Sequence, residues 1–179
     1  MPAMIEEIVG VVGDQKAPHK EGETSFDRYL YNKHRGARNF DENSSISFQY
    51  FLFSNASLKR SIFNKLQLFD EQFKDYGGED TELAIRIWEA FPNSLRFSAS
   101  ASSENYGEID FENFCAKMFE YGKTNFHLLI KKYPTYKNKL GAKYIHSTIG
   151  YLIFNPIIRY IVNLLRLILD VYYLQRYVV

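Results

Sequence analysis

Cysteine is almost missing from this chain: Cys115 is the single one in 179 residues. One thiol makes no internal disulfide and no cysteine zinc cluster, and it suits a reducing compartment. Histidine is nearly as scarce. His19, His34, His127 and His146 form no His-x-x-x-His pair, which argues against a zinc site. The sequence has no Asp-x-Asp, no Gly-rich phosphate loop, no internal repeat and no low-complexity block. It has no nucleic-acid recognition motif either, so no nucleic-acid partner is expected. No charge-free run reaches the ~18 residues that a spanning helix wants. Residues 1–12 carry Glu6 and Glu7 where a secretory leader has a basic start and an apolar run, so a cytoplasmic location is expected.

What the chain does have is core-forming material. Hydrophobic residues make up 46% and charged residues 24%, a balance that excludes disorder and supports a packed domain. Aromatics are abundant: 15 Phe, 14 Tyr and one Trp give 17%, an excess that favours dense packing or contact with flat ligands such as sugar rings. The net charge of +1 hides an asymmetry. Residues 1–110 hold 12 Lys/Arg against 18 Asp/Glu, and residues 111–179 hold 10 against 3. An acidic front and a basic back suggest a polar site in front and a surface-seeking tail behind.

Strand and helix patterns alternate along the front, which predicts an α/β fold. Residues 8–13 form a short β-branched run and read as a buried strand. Residues 16–24, with Pro18 and Gly22, read as a polar loop. In residues 25–34, Phe26, Tyr29 and Leu30 recur at helical spacing until Arg35-Gly36 stops them. Residues 39–47 are polar and are expected to be a mobile loop. Residues 48–53 are aromatic and read as a strand. Residues 57–66 read as a helix capped by Ser57, with Leu58, Ile62, Phe63 and Leu66 on one face. A loop over 69–78 ends in two glycines. A helix over 79–91 follows, with three acids in its first turn and Pro92-Asn93 beyond its end. Residues 95–101 read as a strand, and 111–132 as a longer helix bent at Gly122. Within that helix Cys115 is expected to be a core thiol, and Trp88 on the preceding one a core aromatic.

The densest functional constellation spans residues 69–83, where Glu79-Asp80 follows Gly77-Gly78 at a loop-to-helix junction. Glycine allows close backbone approach and positive φ. A carboxylate held there can take a proton from a substrate hydroxyl. The same acids also answer the positive end of a helix dipole and cap its free N–H groups. Sequence alone leaves both readings open.

Residues 69–86 resemble the C-terminal signature of the family 2 glycosyltransferases, which have the GT-A fold. In that signature a Phe-Asp-Glu segment leads into Gly-Glu-Asp and then a helix with Leu and Arg. Here it reads Phe69-Asp70-Glu71, Gly78-Glu79-Asp80, Leu83 and Arg86. Upstream, Ser54-Asn55-Ala56-Ser57-Leu58-Lys59-Arg60 is similar to the family's Asn-x-Ser-x-x-Arg segment, and Arg35-Gly36 sits where such enzymes often have a basic turn. Downstream, residues 114–133, with Glu120-Tyr121-Gly122-Lys123, are similar to the helix that often follows the catalytic core. The resemblance covers roughly residues 8–135 and rests on the combined order of these segments.

That resemblance implies the C-terminal part of a GT-A-like, Rossmann-like domain over residues 1–135. It implies transfer of a sugar from a nucleotide-sugar donor to a hydroxyl acceptor with inversion, in cell-surface polysaccharide synthesis. Asp80 is then the expected general base. Glu79, Gly78, Asn55 and Arg86 are the expected acceptor-binding residues. Two departures accompany it. The Asp-x-Asp motif that would bind a divalent ion, Mn²⁺ or Mg²⁺, with the donor is missing from the chain, so no metal site is expected here. Where many relatives place a metal-binding His after the strand at 95–101, this chain has Asn105. The chain therefore reads as the acceptor-side half of a transferase: a fragment, a split gene product that works with a missing N-terminal half or another subunit, or a decayed copy. A second reading is a non-catalytic, membrane-peripheral module that keeps the acceptor pocket alone.

Residues 136–179 read as a basic linker and an amphipathic helix. Lys117, Lys123, Lys131, Lys132, Lys137, Lys139 and Lys143 make a basic stretch, read either as a solvated face or as attraction to anionic lipid. Beyond Asn155-Pro156, the polar residues Arg159, Asn163, Arg166 and Asp170 recur in one narrow stripe, and Ile, Leu, Val and Tyr fill most of the rest. With Tyr172, Tyr173 and Tyr177, that pattern predicts a helix lying on a membrane surface rather than crossing it.

Overall fold

The computed structural model describes residues 7–17, 24–107, 110–145, 147–153, 155–158, 160–161 and 164–165. The chain forms two compact units, residues 1–132 and 133–179. The first is an α/β unit on a small mixed sheet. Strand β1 (Gly10–Lys16) lies between β2 (Ala56–Leu58) and β3 (Leu95–Glu104). It pairs antiparallel with β2, from Gly10 opposite Leu58 to Val12 opposite Ala56. It pairs parallel with β3 from Gly10 opposite Leu95, with an irregularity between Gly13 and Gln15 that skips β3 forward to Ser103. Gly13 is forced by that irregularity: a Cβ there would lie 1.9 Å from the Ala101 carbonyl oxygen.

Helices α1 (Ser25–Leu30), α2 (Arg60–Leu66) and α3 (Glu79–Ala90) accompany the sheet. Helix α1 starts at a capping box: the Thr24 hydroxyl accepts the Asp27 N–H, and the Asp27 carboxylate accepts the Thr24 N–H. Helix α3 buries Leu83, Ala84, Ile85 and Ile87 completely. They share the core with Val9, Val12, Ile46, Phe48, Phe51, Leu95 and Phe97. Trp88 meets Phe48 edge-on, with ring centroids 6.5 Å apart. Helices α4 (Phe111–Lys123) and α5 (Asn125–Lys132) close the first unit.

Several sequence expectations change here. Residues 48–53 are not a strand but a 3₁₀ turn, Phe48–Tyr50, followed by a second, Phe53–Asn55. Phe48 and Phe51 stand three residues apart and both are fully buried, which is the spacing that a 3₁₀ turn places on one side. Ser57 caps no helix; it pairs opposite Val11 within β2, and α2 begins after Lys59. The pull is backbone hydrogen bonding, because β1 offers an edge that residues 56–58 complete. Residues 39–47 are tied down rather than loose. The Asn43 and Ile46 N–H groups donate to the Phe97 and Leu95 carbonyls at 2.9 and 3.1 Å, and the Phe97 N–H donates to the Ser44 carbonyl at 3.1 Å. The Glu42 carboxylate accepts the Ser98 hydroxyl at 2.8 Å and the Ala99 and Ser100 N–H groups.

The long helix over 111–132 breaks at Thr124, with φ −120° and ψ −87°, and not at Gly122. There the Thr124 hydroxyl donates back to the Glu120 carbonyl at 2.9 Å, a bond that competes with the helix ladder. Cys115 is exposed, not a core thiol. Helix α4 buries none of its residues: Phe119 is 72% exposed, and Phe111, 47% exposed, meets Phe26 edge-on at 5.4 Å.

The second unit has a 3₁₀ turn (Pro134–Tyr136) and helices α6 (Ala142–Ile145) and α7 (Thr148–Ile153). No helix among the described residues is long and apolar enough to cross a membrane. His19, His146, the stripe Arg159, Asn163, Arg166 and Asp170, and Tyr172, Tyr173, Arg176 and Tyr177 lie outside the described residues.

Candidate functional site

The start of α3 gathers three of the residues singled out from sequence. Gly77 and Gly78 both have positive φ, +77° and +96°, a region that side chains rarely adopt. Gly78 is the residue before the helix, and its carbonyl accepts the Glu82 N–H at 2.9 Å. The chain therefore turns sharply and fires straight into α3, with Glu79, Asp80 and Glu82 in the first turn against the dipole's positive end.

Asp80 is half-buried. Its Oδ2 faces the Phe53 N–H at 3.4 Å, the first residue of the turn that also contains Asn55. Burial raises its proton affinity; the Phe53 N–H opposes that, and the neighbouring Glu79 charge adds to it. Glu79 Oε2 is buried and has no hydrogen-bond partner. Tyr121, from α4, lies alongside: its ring would meet a Cβ on Gly78 at 3.1 Å and on Gly77 at 3.3 Å. Its phenol is pushed up to about 12, by burial first and then by the Glu79 charge. The junction thus presents a carboxyl with raised proton affinity beside a desolvated carboxylate oxygen that the protein itself does not use. The Asp80 carboxylate can accept a proton from a hydroxyl ligand.

The other two expected acceptor residues sit elsewhere and are engaged within the fold. The Asn55 amide donates to the Asp14 carbonyl at 2.8 Å and the Ala101 carbonyl at 2.9 Å, bridging β1 and β3 where their register breaks. Arg86 lies six residues after Asp80, about 120° round the helix. Its guanidinium grips Glu82, donates to the Leu68 carbonyl at 2.7 Å, and also holds the Leu66 carbonyl. With Asp70, Glu82 and Lys132 it lines a cleft of about 440 Å³. The charges there answer each other. Lys132 Nζ is 2.6 Å from both Asp70 Oδ2 and Glu82 Oε1, so Lys132 is a fastener and not part of a free basic face.

Sequence reasoning missed Phe53, Tyr121 and Asn125 around the junction. The Asn125 amide donates to the Asp75 carbonyl at 2.8 Å and the Gly77 carbonyl at 2.7 Å. Nothing in the spacing of residues 75–78 and 121–125 announces that contact. No group of three or more His, Cys, Asp or Glu side chains placed to hold a metal ion occurs among the described residues. Asp14 Oδ1 and Glu79 Oε2 are buried and unpartnered, but neither has the companions a divalent ion needs. Among the described residues the donor set does not fit a metal–diphosphate site. No family model, curated protein or solved structure matches the chain.

Proposed function

We propose that this chain carries the acceptor-side half of an inverting, family 2-like glycosyltransferase with a GT-A-like fold. On this reading it acts in cell-surface polysaccharide synthesis. The observation that carries the reading is the junction at α3: Asp80 half-buried with raised proton affinity, beside the unpartnered Glu79 Oε2. As the acceptor oxygen attacks the donor's anomeric carbon, its proton passes to the Asp80 carboxylate. The new C–O bond forms on the face opposite the departing diphosphate, which leaves with the electron pair of the old bond. Raised proton affinity makes Asp80 a better base than an exposed aspartate. Glu79 Oε2 accepts a second acceptor hydroxyl, while the Tyr121 and Phe73 rings pack against Gly78 and hold the turn. Asn55 and Arg86 hold the frame in which that turn sits. The nucleotide-sugar and its divalent ion belong, on this reading, to a missing N-terminal half or another subunit of the complete enzyme.

The second unit adds a location: peripheral to a membrane, on its anionic face. Support comes from Ile149, Tyr151 and Leu152, which are 68%, 73% and 58% exposed, with Lys137 and Lys143 exposed just before them.

The test is sugar transfer by the complete enzyme from nucleotide diphosphate sugars to hydroxyl acceptors. Asp80→Asn keeps the shape and cannot take the proton. It is expected to lower turnover by ~10²–10⁴-fold with folding unchanged. Near-normal turnover assigns the proton transfer to another group and removes the reading's main support.

A further inference from the structure

The loop that presents Glu79 and Asp80 is held from outside its own segment. Residues 75–78 carry two positive-φ glycines in succession, a conformation with no side-chain packing of its own to fix it. Three groups on α4 and α5 grip it. Asn125, only 3% exposed, spends both amide hydrogens on the Asp75 and Gly77 carbonyls. The Tyr121 ring fills the space beside Gly77 and Gly78, and is itself braced edge-on by Phe126 at 5.6 Å. Lys117 Nζ sits 5.1 Å over the Tyr76 ring. The break at Thr124 makes this possible, because it lets Asn125 begin a new helix instead of continuing α4.

We propose that Asn125 and Tyr121 are positioning residues for Asp80: α4 and α5 act as a clamp that fixes the Gly77-Gly78 turn and thereby the first turn of α3. The functional importance of this clamp rests on the reading of Asp80 as a base, but its physical content does not. Both carbonyls would lose the Asn125 donor, and a partly buried carbonyl without a partner draws in water. The first turn of α3 then frays and Asp80 becomes solvated. The charged or titratable groups around Asp80 and the turn are Glu79 on α3, Tyr121 and Lys117 on α4, and Asp75 in the loop. None of them is altered by substituting Asn125.

The experiment is a carboxyl NMR titration of the full chain, with amide hydrogen exchange at Glu82, whose N–H donates to the Gly78 carbonyl at 2.9 Å. In Asn125→Leu, which keeps the volume and removes both donors, Asp80 is expected to titrate back toward the ordinary aspartate value of about 3.9. Exchange at this amide is expected to accelerate at least ~10-fold, a local loss of protection. Tyr121→Ala should do the same, while Tyr121→Phe keeps the ring and the native titration. Leu129→Ala, at a fully buried α5 position one turn beyond Asn125, is the control for general loosening and should leave Asp80 unmoved. If Asn125→Leu does not fold, the Tyr121 pair decides. An Asp80 titration that stays put in the folded variants, or that moves equally in Leu129→Ala, overturns the clamp. Failure of the base reading shows separately, as unchanged transfer by Asp80→Asn.

Discussion

Glu82 should be the costliest single charge to remove from the first unit. Its side chain is fully buried in α3, yet it faces two cations. Arg86 approaches with Nε at 2.9 Å and Nη2 at 2.7 Å, and Lys132 with Nζ at 2.6 Å. Glu82→Gln keeps the shape and deletes the charge. Charge-assisted bonds of this kind are worth about 1.5–3 kcal/mol each, and breaking a buried pair costs about 3–5 kcal/mol. The upper end applies when the abandoned partner is sealed from water. Here Arg86 is 20% and Lys132 36% exposed, and each keeps another partner, backbone carbonyls for Arg86 and Asp70 for Lys132. The lower end, about 3 kcal/mol, is therefore expected. Urea unfolding followed by Trp88, on the same helix, reads it directly. With an m-value of about 2 kcal/mol/M, the midpoint should fall by about 1.5 M. Because the carboxylate is buried, added salt should change the difference little. A loss below about 1 kcal/mol, the range of an exposed pair, would refute the argument that burial makes this network structural.

Asp80 should carry a stability penalty of its own. Its folded-state proton affinity is raised, so the native chain binds more protons than the unfolded one in the window above about pH 3.9, and stability falls as pH rises through it. Asp80→Asn should therefore be more stable than wild type at pH 7, with the gain vanishing in acid; a destabilised variant at pH 7 would contradict the sign. For the second unit, the full chain is expected to float with phosphatidylserine vesicles, to ignore neutral ones, and to lose part of its binding in 0.5 M NaCl. A chain that ignores both vesicles and forms a stable dimer instead would assign its exposed apolar residues to self-association.

Elements whose signals were local were legible in the sequence. Helix α3 is announced by a glycine pair, an acidic first turn and a following Pro92, and it forms where those marks place it. The strand from Leu95 was legible as well, although it runs on to Glu104. Elements decided by partners were not. Residues 56–58 joined β1 because an edge was open, against their helical spacing. Residues 48–51 read as β-forming aromatics, yet burial of Phe48 and Phe51 together selected a tight turn. At the site, Gly78, Glu79 and Asp80 are neighbours in sequence and stayed neighbours in space. Asn55 and Arg86 look like free polar groups in a sequence, because nothing there shows the backbone carbonyls that engage them. Tyr121 and Asn125 reach the site only through tertiary packing.

The parallel pairing of β1 with β3 has a consequence for the order in which the chain assembles. Gly10 meets Leu95, so about 85 residues must be made before the central strand finds its parallel neighbour. At a synthesis rate of about 5–20 residues per second, that is a wait of roughly 4–17 s. During most of it the apolar stretch around Val9 and Val12 has only the three residues of β2 to pair with, and those arrive halfway through. A two-strand ribbon of that length is not stable alone. Folding of the first unit is therefore held back until β3 emerges, and the closure of this long loop, not the formation of any helix, is the event that sets its pace.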